Sequence, residues 1–472
     1  MASDNRSNSK NLLKNTGIFA VGTFGSKVLS LLIIPLCTHY IDTENMGVYD
    51  MSYTVVQLLM PIAMLSVAEA LFRWLLDEAI DKKKILSTWA ALFSTFMLVF
   101  TVAYWSAWAF LRFDDAPLMY LLVVTGCAYG SVQYGTRGLR NNKLFAASGI
   151  FYAVVYCALT FYLVVILRVG YRGLLEAILI ATVGTTALLV ALQPDLRQAS
   201  RKLFDRSLAK EMTRYSVFLL PNQLCWWAIS WLGRLIVVGF LGYAANGIFS
   251  VAMKFPSALS MVSAVFFPAW QEQAISLFGK DGSEEYFSSV FRRYARIFLS
   301  LLLPGVPFTI LFVRIFMDSS YAQAADLVAL LYLGASFSAF SSFFGVLYLC
   351  ARDTKGAAST TVIGAMVNAA ASLVLVPTAG IIGAAAANML GNLLMWLVRT
   401  RQTRRYATIS VAWGEVVLLS VVGLATGVLC GALVENWQLL TATFVGVVMM
   451  LAVNRTSIGW ILGLLKGRNG KA

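Results

Sequence analysis

The chain has 472 residues, of which 59% are hydrophobic and 13% charged, with a mean hydropathy of +0.74. A soluble chain of ordinary make-up carries about 25% charged residues, so a soluble globular protein is excluded. The net charge of +14 would suit a nucleic-acid partner, but the basic residues sit in short loops between apolar runs, which reports membrane orientation instead.

The first fifteen residues, MASDNRSNSKNLLKN, are polar and carry no signal-peptide pattern, so secretion of a soluble domain is not expected. The first apolar run covers 15–37, and its twenty residues from Ile18 to Cys37 hold one charge, Lys27, near the middle. Twenty residues at about 1.5 Å rise match the hydrocarbon core of a bilayer. An ammonium at mid-depth facing lipid costs several kcal/mol, with estimates from about 2.5 to above 10. Lys27 is therefore expected to face a wet cavity or a partner, unless it snorkels to the interface.

Thirteen further spans are expected near 47–69, 85–111, 118–136, 144–167, 172–193, 215–241, 247–270, 293–316, 325–350, 357–377, 380–398, 411–434 and 437–464. Loops on one side carry about 27 Lys or Arg and those opposite about 4, which places both termini in the cytoplasm. No loop is long enough for a soluble domain, and the outer loops are very short.

Glu69 and Arg73 lie four apart near the cytoplasmic end of span 2, in the favourable acid-before-base order. They read as a local ion pair, or as a cytoplasmic gate or coupling carboxylate. Arg234 in span 7 and Lys254 in span 8 both lie ten residues from position 244, taken as the hairpin tip, and so at similar depth. Two cations at one level, with no acidic residue beside them in sequence, point to an anion site. Pro256 follows Lys254, Pro61 lies in span 2, and Pro304 and Pro307 in span 9; each is a place where a helix can bend. In span 12, Gly383, Ala387 and Gly391 repeat every four residues, a face for close helix contact.

The chain also resembles itself. Gly47-Val-Tyr-Asp50 opens span 2 and Gly247-Ile-Phe-Ser250 opens span 8; Arg140-Asn-Asn-Lys143 precedes span 5 and Arg352-Asp-Thr-Lys355 precedes span 11. Offsets of 200 and 212 imply two six-helix halves of the same orientation, with a central cavity between them. The expected architecture is an all-α polytopic membrane protein of about 14 transmembrane helices. Its parts are an N-terminal lobe over 1–200, a second lobe over 201–405 and two additional helices over 406–472.

No P-loop, GxSxG, HExxH or dinucleotide fingerprint stands in a workable context, so no enzyme, cofactor or metal is expected. The six cysteines lack CxxC spacing and read as buried small hydrophobes, and His39 as an interfacial residue.

The stretch GTFGSKVLSLLIIPLCTHYIDTENMGVYD (22–50) resembles the opening of the polysaccharide-transporter flippases, O-antigen flippases among them. So do VAEALFRWLL (67–76), GIFSVAMKFPSALSMV (247–262) and NAAASLVLVPTAGIIGAAAAN (368–388). These belong to the multidrug/oligosaccharidyl-lipid/polysaccharide exporter superfamily. The resemblance implies alternating access and a polyprenyl-pyrophosphate-linked oligosaccharide moved across the cytoplasmic membrane. It implies substrate-binding roles for Lys27, Arg234 and Lys254, and a gating or coupling role for Glu69 and Arg73. Membrane lipids and polysaccharide polymerase machinery are the implied partners, and nucleic acid is not. Two rivals stay open: an ion-coupled multidrug extruder, which wants a mid-membrane carboxylate, and a membrane-embedded glycan ligase or glycosyltransferase, which needs a catalytic group such as Asp114 or Asp115 in an outer loop.

Overall fold

The computed structural model describes residues 33–77, 80–351 and 353–455. Among them ten helices are long and apolar enough to cross a membrane, or eleven with the bent pair Thr43–Met64 and Val67–Leu75 as one span. Two long helices contain a non-helical glycine: Arg206–Lys254 turns at Gly242 and Thr354–Gln402 at Gly380. Splitting these raises the crossings to thirteen, and the expected first span lies largely outside the described residues. The fold is all-α, with no strand among the described residues.

A membrane leaves helices as the way to satisfy every backbone group, and single-residue turns keep irregular backbone to a minimum. Gly242 (φ 82°, ψ 180°) occupies a region open in practice to glycine alone.

The described chain forms two compact units, residues 33–41 with 48–231, and residues 42–47 with 232–455. In the first, an apolar cluster of Ala70, Leu71, Leu75, Ile85, Leu86, Leu208 and Met212 ties the end of span 2 to the starts of spans 3 and 7. In the second, the most enclosed helix is Ala324–Cys350: 78% of its apolar stretch is buried, against 11% for Asn436–Val453. Around it Trp270 stacks on Phe343 at 4.0 Å and donates its indole N–H to the Phe343 carbonyl.

Within this second unit the two additional helices are packed, not peripheral. A methyl at Gly446 would sit 2.4 Å from the Leu303 carbonyl oxygen. Arg296 and Glu415 form a two-pronged ion pair. Arg314 donates to the carbonyls of Leu433 and Val434, capping the end of Trp413–Gly431. The expected small face of span 12 is close-packed: Ala387 is fully buried, and methyls at Gly383 and Gly391 would meet Leu375 and Asn368.

Arg399 stands in sequence beside the basic residues Arg401, Arg404 and Arg405, yet the helix continues to Gln402 and Arg399 is buried. Its guanidinium reaches Thr360 Oγ1, Thr361 Oγ1 and the carbonyls of Ser341 and Ala357. A buried charge is tolerated when its donors are met, and here neutral oxygens meet them.

The two sequence repeats correspond in side-chain detail. Asn141 caps the helix Asn142–Thr160 by accepting from Leu144 N–H and donates to Gln193. Asp353, 212 residues later, caps Thr354–Gln402 by accepting from Gly356 N–H and accepts from Arg405. Leu144 and Gly356, and Gln193 and Arg405, are again 212 apart. Arg168 (φ 52°) and Gly380 (φ 60°) share that offset and both turn the chain with positive φ.

Candidate functional site

The broken second span shapes the first unit's interior. Pro61 is the expected bend, yet it lies inside the helix, and the break falls at Leu65 and Ser66 (φ 45° and 60°), where the axis turns by 58°. A proline removes one backbone donor and crowds the turn before it, here 57–60, so Pro61 does not by itself place a break that follows it. Two consecutive non-glycine residues at positive φ cost on the order of 1–3 kcal/mol each and persist because their surroundings hold them. Met64, Ser66, Val67, Ala70 and Leu71 are all buried.

The break starts a new helix, Val67–Leu75, with Glu69 in its first turn, where the helix dipole favours a carboxylate. Glu69 and Arg73 do not form the ion pair that their spacing suggests. Glu69 Oε1 accepts from Gln223 Nε2 of span 7. Arg73 lies over the Tyr215 ring, 5.5 Å from its centre, and 6.0 Å from that of Trp74.

Two cavities meet at this point in the first unit. One, about 760 Å³, is lined by Arg73, Trp74, Asp77, Glu211 and Tyr215 among others. The second, about 410 Å³, lies against the break and is lined by Gln57, Met64, Ser66, Gln223, Trp227 and Trp231 among others. Glu69 and Tyr134 line both. The carboxylate thus stands at the partition between two spaces, placed there by the kink and held by Gln223.

In the second unit the chain turns at Gly242, not at 244. Arg234 and Lys254 are then eight and twelve residues from the turn, about 12 and 18 Å along their helices, so their depths differ by about a helical turn. Arg234 is 9% exposed. Lys254 ends its helix, Pro256 breaks the chain beyond it, and Ser257–Leu277 begins a fresh helix; the Lys254 carbonyl accepts from Ser257. Lys254 has no ion-pair partner among the described residues. Lys27 lies outside the described residues.

Asp115 is used structurally. It pairs with Arg172 at 2.7 Å and accepts from the Tyr171 hydroxyl at 2.6 Å, joining two inter-span turns. Among the described residues no group of three or more His, Cys, Asp or Glu gathers as a metal site. Sequence reasoning missed Tyr134, Tyr215, Gln223, Trp227 and Trp231. The signal was an amide and tryptophans inside an apolar run, which also describes a span facing lipid.

Residues 12–270 match the family model described as "Polysaccharide biosynthesis protein". An uncharacterized membrane protein of Methanocaldococcus jannaschii is 25% identical over 252 residues, 50% of this chain and 48% of that one, so the match spans about half of that relative's length. Among solved structures the fold is similar to the lipid II flippase MurJ in an inward closed conformation (TM-score 0.68, 14% identity, 94% of this chain and 99% of the other). It is also similar to an outward-facing multidrug resistance transporter of the MATE family (0.55, 13%, 84% and 95%). A third likeness is to a Pyrococcus furiosus transporter whose structure is described as having a binding pocket of reverse polarity (0.55, 13%, 83% and 94%). With more than half of its length matched by the family model and a fold shared with these multi-pass transporters, the chain belongs to the polysaccharide biosynthesis protein family of membrane proteins.

Proposed function

We propose that the chain is a flippase that moves a polyprenyl-pyrophosphate-linked oligosaccharide across the cytoplasmic membrane by alternating access, with both termini in the cytoplasm. The observation that carries the reading is the sign of the interior charge in span 8: Lys254 sits at a proline break without a counter-ion among the described residues. Family membership gives that charge a fitting substrate. A pyrophosphate cannot cross about 30 Å of hydrocarbon bare, because an unpaired buried charge is prohibitively expensive. Fixed cations in a low-dielectric wall replace part of its hydration.

In this reading Lys27, Arg234 and Lys254 bind the anionic head group, the two six-helix lobes and two additional helices form the moving frame, and the lipid tail stays in the bilayer. Glu69 and Arg73 govern passage on the cytoplasmic side. Polymerase machinery would take up the product.

The test is export of surface polysaccharide in cells depleted of the wild-type protein. Lys254→Ala and Arg234→Ala should each cut export about tenfold or more with protein level unchanged, a loss of about 1.4 kcal/mol of substrate stabilisation. Lys254→Arg should keep part of it, since charge survives while donor geometry changes. Normal export by Ala variants at all three cations would sink the head-group assignment.

A further inference from the structure

The cavity of about 410 Å³ beside the span-2 break differs in chemistry from an anion site. Among the described residues no Lys or Arg lines it. Its flat surfaces are Trp227, Trp231 and Tyr134, and its polar groups are Gln57, Gln223, Glu69 and Ser66. Its size falls within the range of about 300–1,000 Å³ common for small-molecule sites.

The polar groups are fixed and only half used. Gln57 donates to the Tyr53 hydroxyl at 3.0 Å and Gln223 donates to Glu69, so each amide keeps a carbonyl oxygen to spare. Trp227 is steadied by its indole N–H on the Thr54 carbonyl at 3.2 Å. Ser66, 5% exposed at the break, has a hydroxyl with no hydrogen-bond partner among the described residues. A buried polar atom without a partner is expensive, on the order of 1–3 kcal/mol, and native proteins seldom leave one idle. Opposite, Gly130 opens the wall: a methyl there would meet nothing within 4 Å.

From this we infer that the cavity is a subsite for an uncharged sugar ring. An indole face accepts the apolar face of a pyranose, while amides, a carboxylate and a hydroxyl exchange hydrogen bonds with its ring hydroxyls, each of which is both donor and acceptor. An organic cation would also suit rings beside a carboxylate. A quaternary or phosphonium cation has no O–H or N–H to donate, and so would leave the spare amide oxygens of Gln57 and Gln223 unmet. The inference rests on the flippase reading and divides its substrate: the glycan enters this aromatic cavity, and the pyrophosphate seeks the cations elsewhere.

The test uses the full-length protein in lipid nanodiscs and saturation-transfer NMR. The probes are glucose, galactose, N-acetylglucosamine and lactose, with tetraphenylphosphonium as the cation. At least one saccharide should receive saturation at its ring protons, and Gly130→Leu, which fills the space without removing a side chain, should reduce it at least tenfold. Trp227→Ala should do the same, while Gly184→Leu, at an open position outside this cavity, should not. Saccharide transfer unaffected by Gly130→Leu and Trp227→Ala, or no transfer at all, would overturn the subsite. Phosphonium binding lost in Glu69→Gln, with no saccharide bound, would replace it with an organic-cation pocket. If no sugar binds yet Lys254→Ala still cuts export, the subsite falls and the flippase reading stands. If sugar binds and the cation variants export normally, the reverse holds.

Discussion

Asp353 gathers three partners at one helix start. It caps its helix through Gly356 N–H and accepts from Arg405 and the Tyr406 hydroxyl at 2.6 Å each. The bond from Tyr406 and then that from Gly356 N–H hold its carboxyl below the ordinary 3.8, against an opposing desolvation effect, and the nearby Arg405 adds to the lowering. A depressed folded pKa means that the charged form stabilises the fold. That contribution is complete above the unfolded value and is lost as pH falls through the folded one. Asp353→Asn, which keeps the cap, should lower the thermal midpoint at neutral pH by a few degrees, and the difference from wild type should close as pH falls below the ordinary 3.8 and through the lowered folded value. A constant difference across that range, read by thermal denaturation in detergent, would mean that the charge is not what matters. The sequence signalled this residue through the Arg-Asp-Thr-Lys repeat but not its reach, because Arg405 and Tyr406 come into range only once two spans have folded back.

At the scale of the helix, what was legible was the apolar length of each span and the small-residue face of span 12; the breaks were less so. Pro61 announced a bend, but the kink fell at Leu65 and Ser66, two residues with no preference for positive φ. Tertiary packing overrode local preference there, and the same shift undid the expected pairing of Glu69 with Arg73. Trp227 and Trp231 were invisible as site residues because an aromatic in an apolar span has the same signature whether it meets lipid, core or ligand.

The closest helix approach was half legible, as the matching Gly47 and Gly247 motifs. A methyl at Gly47 would lie 1.8 Å from the Tyr243 carbonyl oxygen, and one at Gly247 1.9 Å from that of Thr43. Neither backbone oxygen can step aside as a side chain would. Gly47→Val and Gly247→Val should each destabilise the protein by about 1–3 kcal/mol through overpacking. Because each forces the same two helices apart, the double variant should lose less than the sum of the two. Strict additivity of the thermal shifts would show that the two positions do not share one contact.

For the whole molecule, the basic-residue asymmetry gives an orientation that chemistry can check. With a membrane-impermeant thiol reagent, Lys202→Cys and Asp281→Cys should label only after permeabilisation, whereas Asp114→Cys and Thr378→Cys should label in intact cells. Labelling of Lys202→Cys from outside would invert the topology.

The crossing of Thr43–Gly47 with Tyr243–Gly247 is related to itself by the 200-residue offset: each glycine meets the other's carbonyl neighbour, and their amide nitrogens are engaged alike. Identical subunits meet in this way across a twofold axis. A chain made by fusing two copies of a half-length protein that already paired with itself would inherit such a contact. The backbone contact is reciprocal, while the side chains are not. Asn246 donates to the Gly47 carbonyl at 3.3 Å, and Met46, its counterpart, has no group with which to return the bond. A fused chain is free of the demand that its two halves be the same, and this one-sided hydrogen bond is a place where they differ.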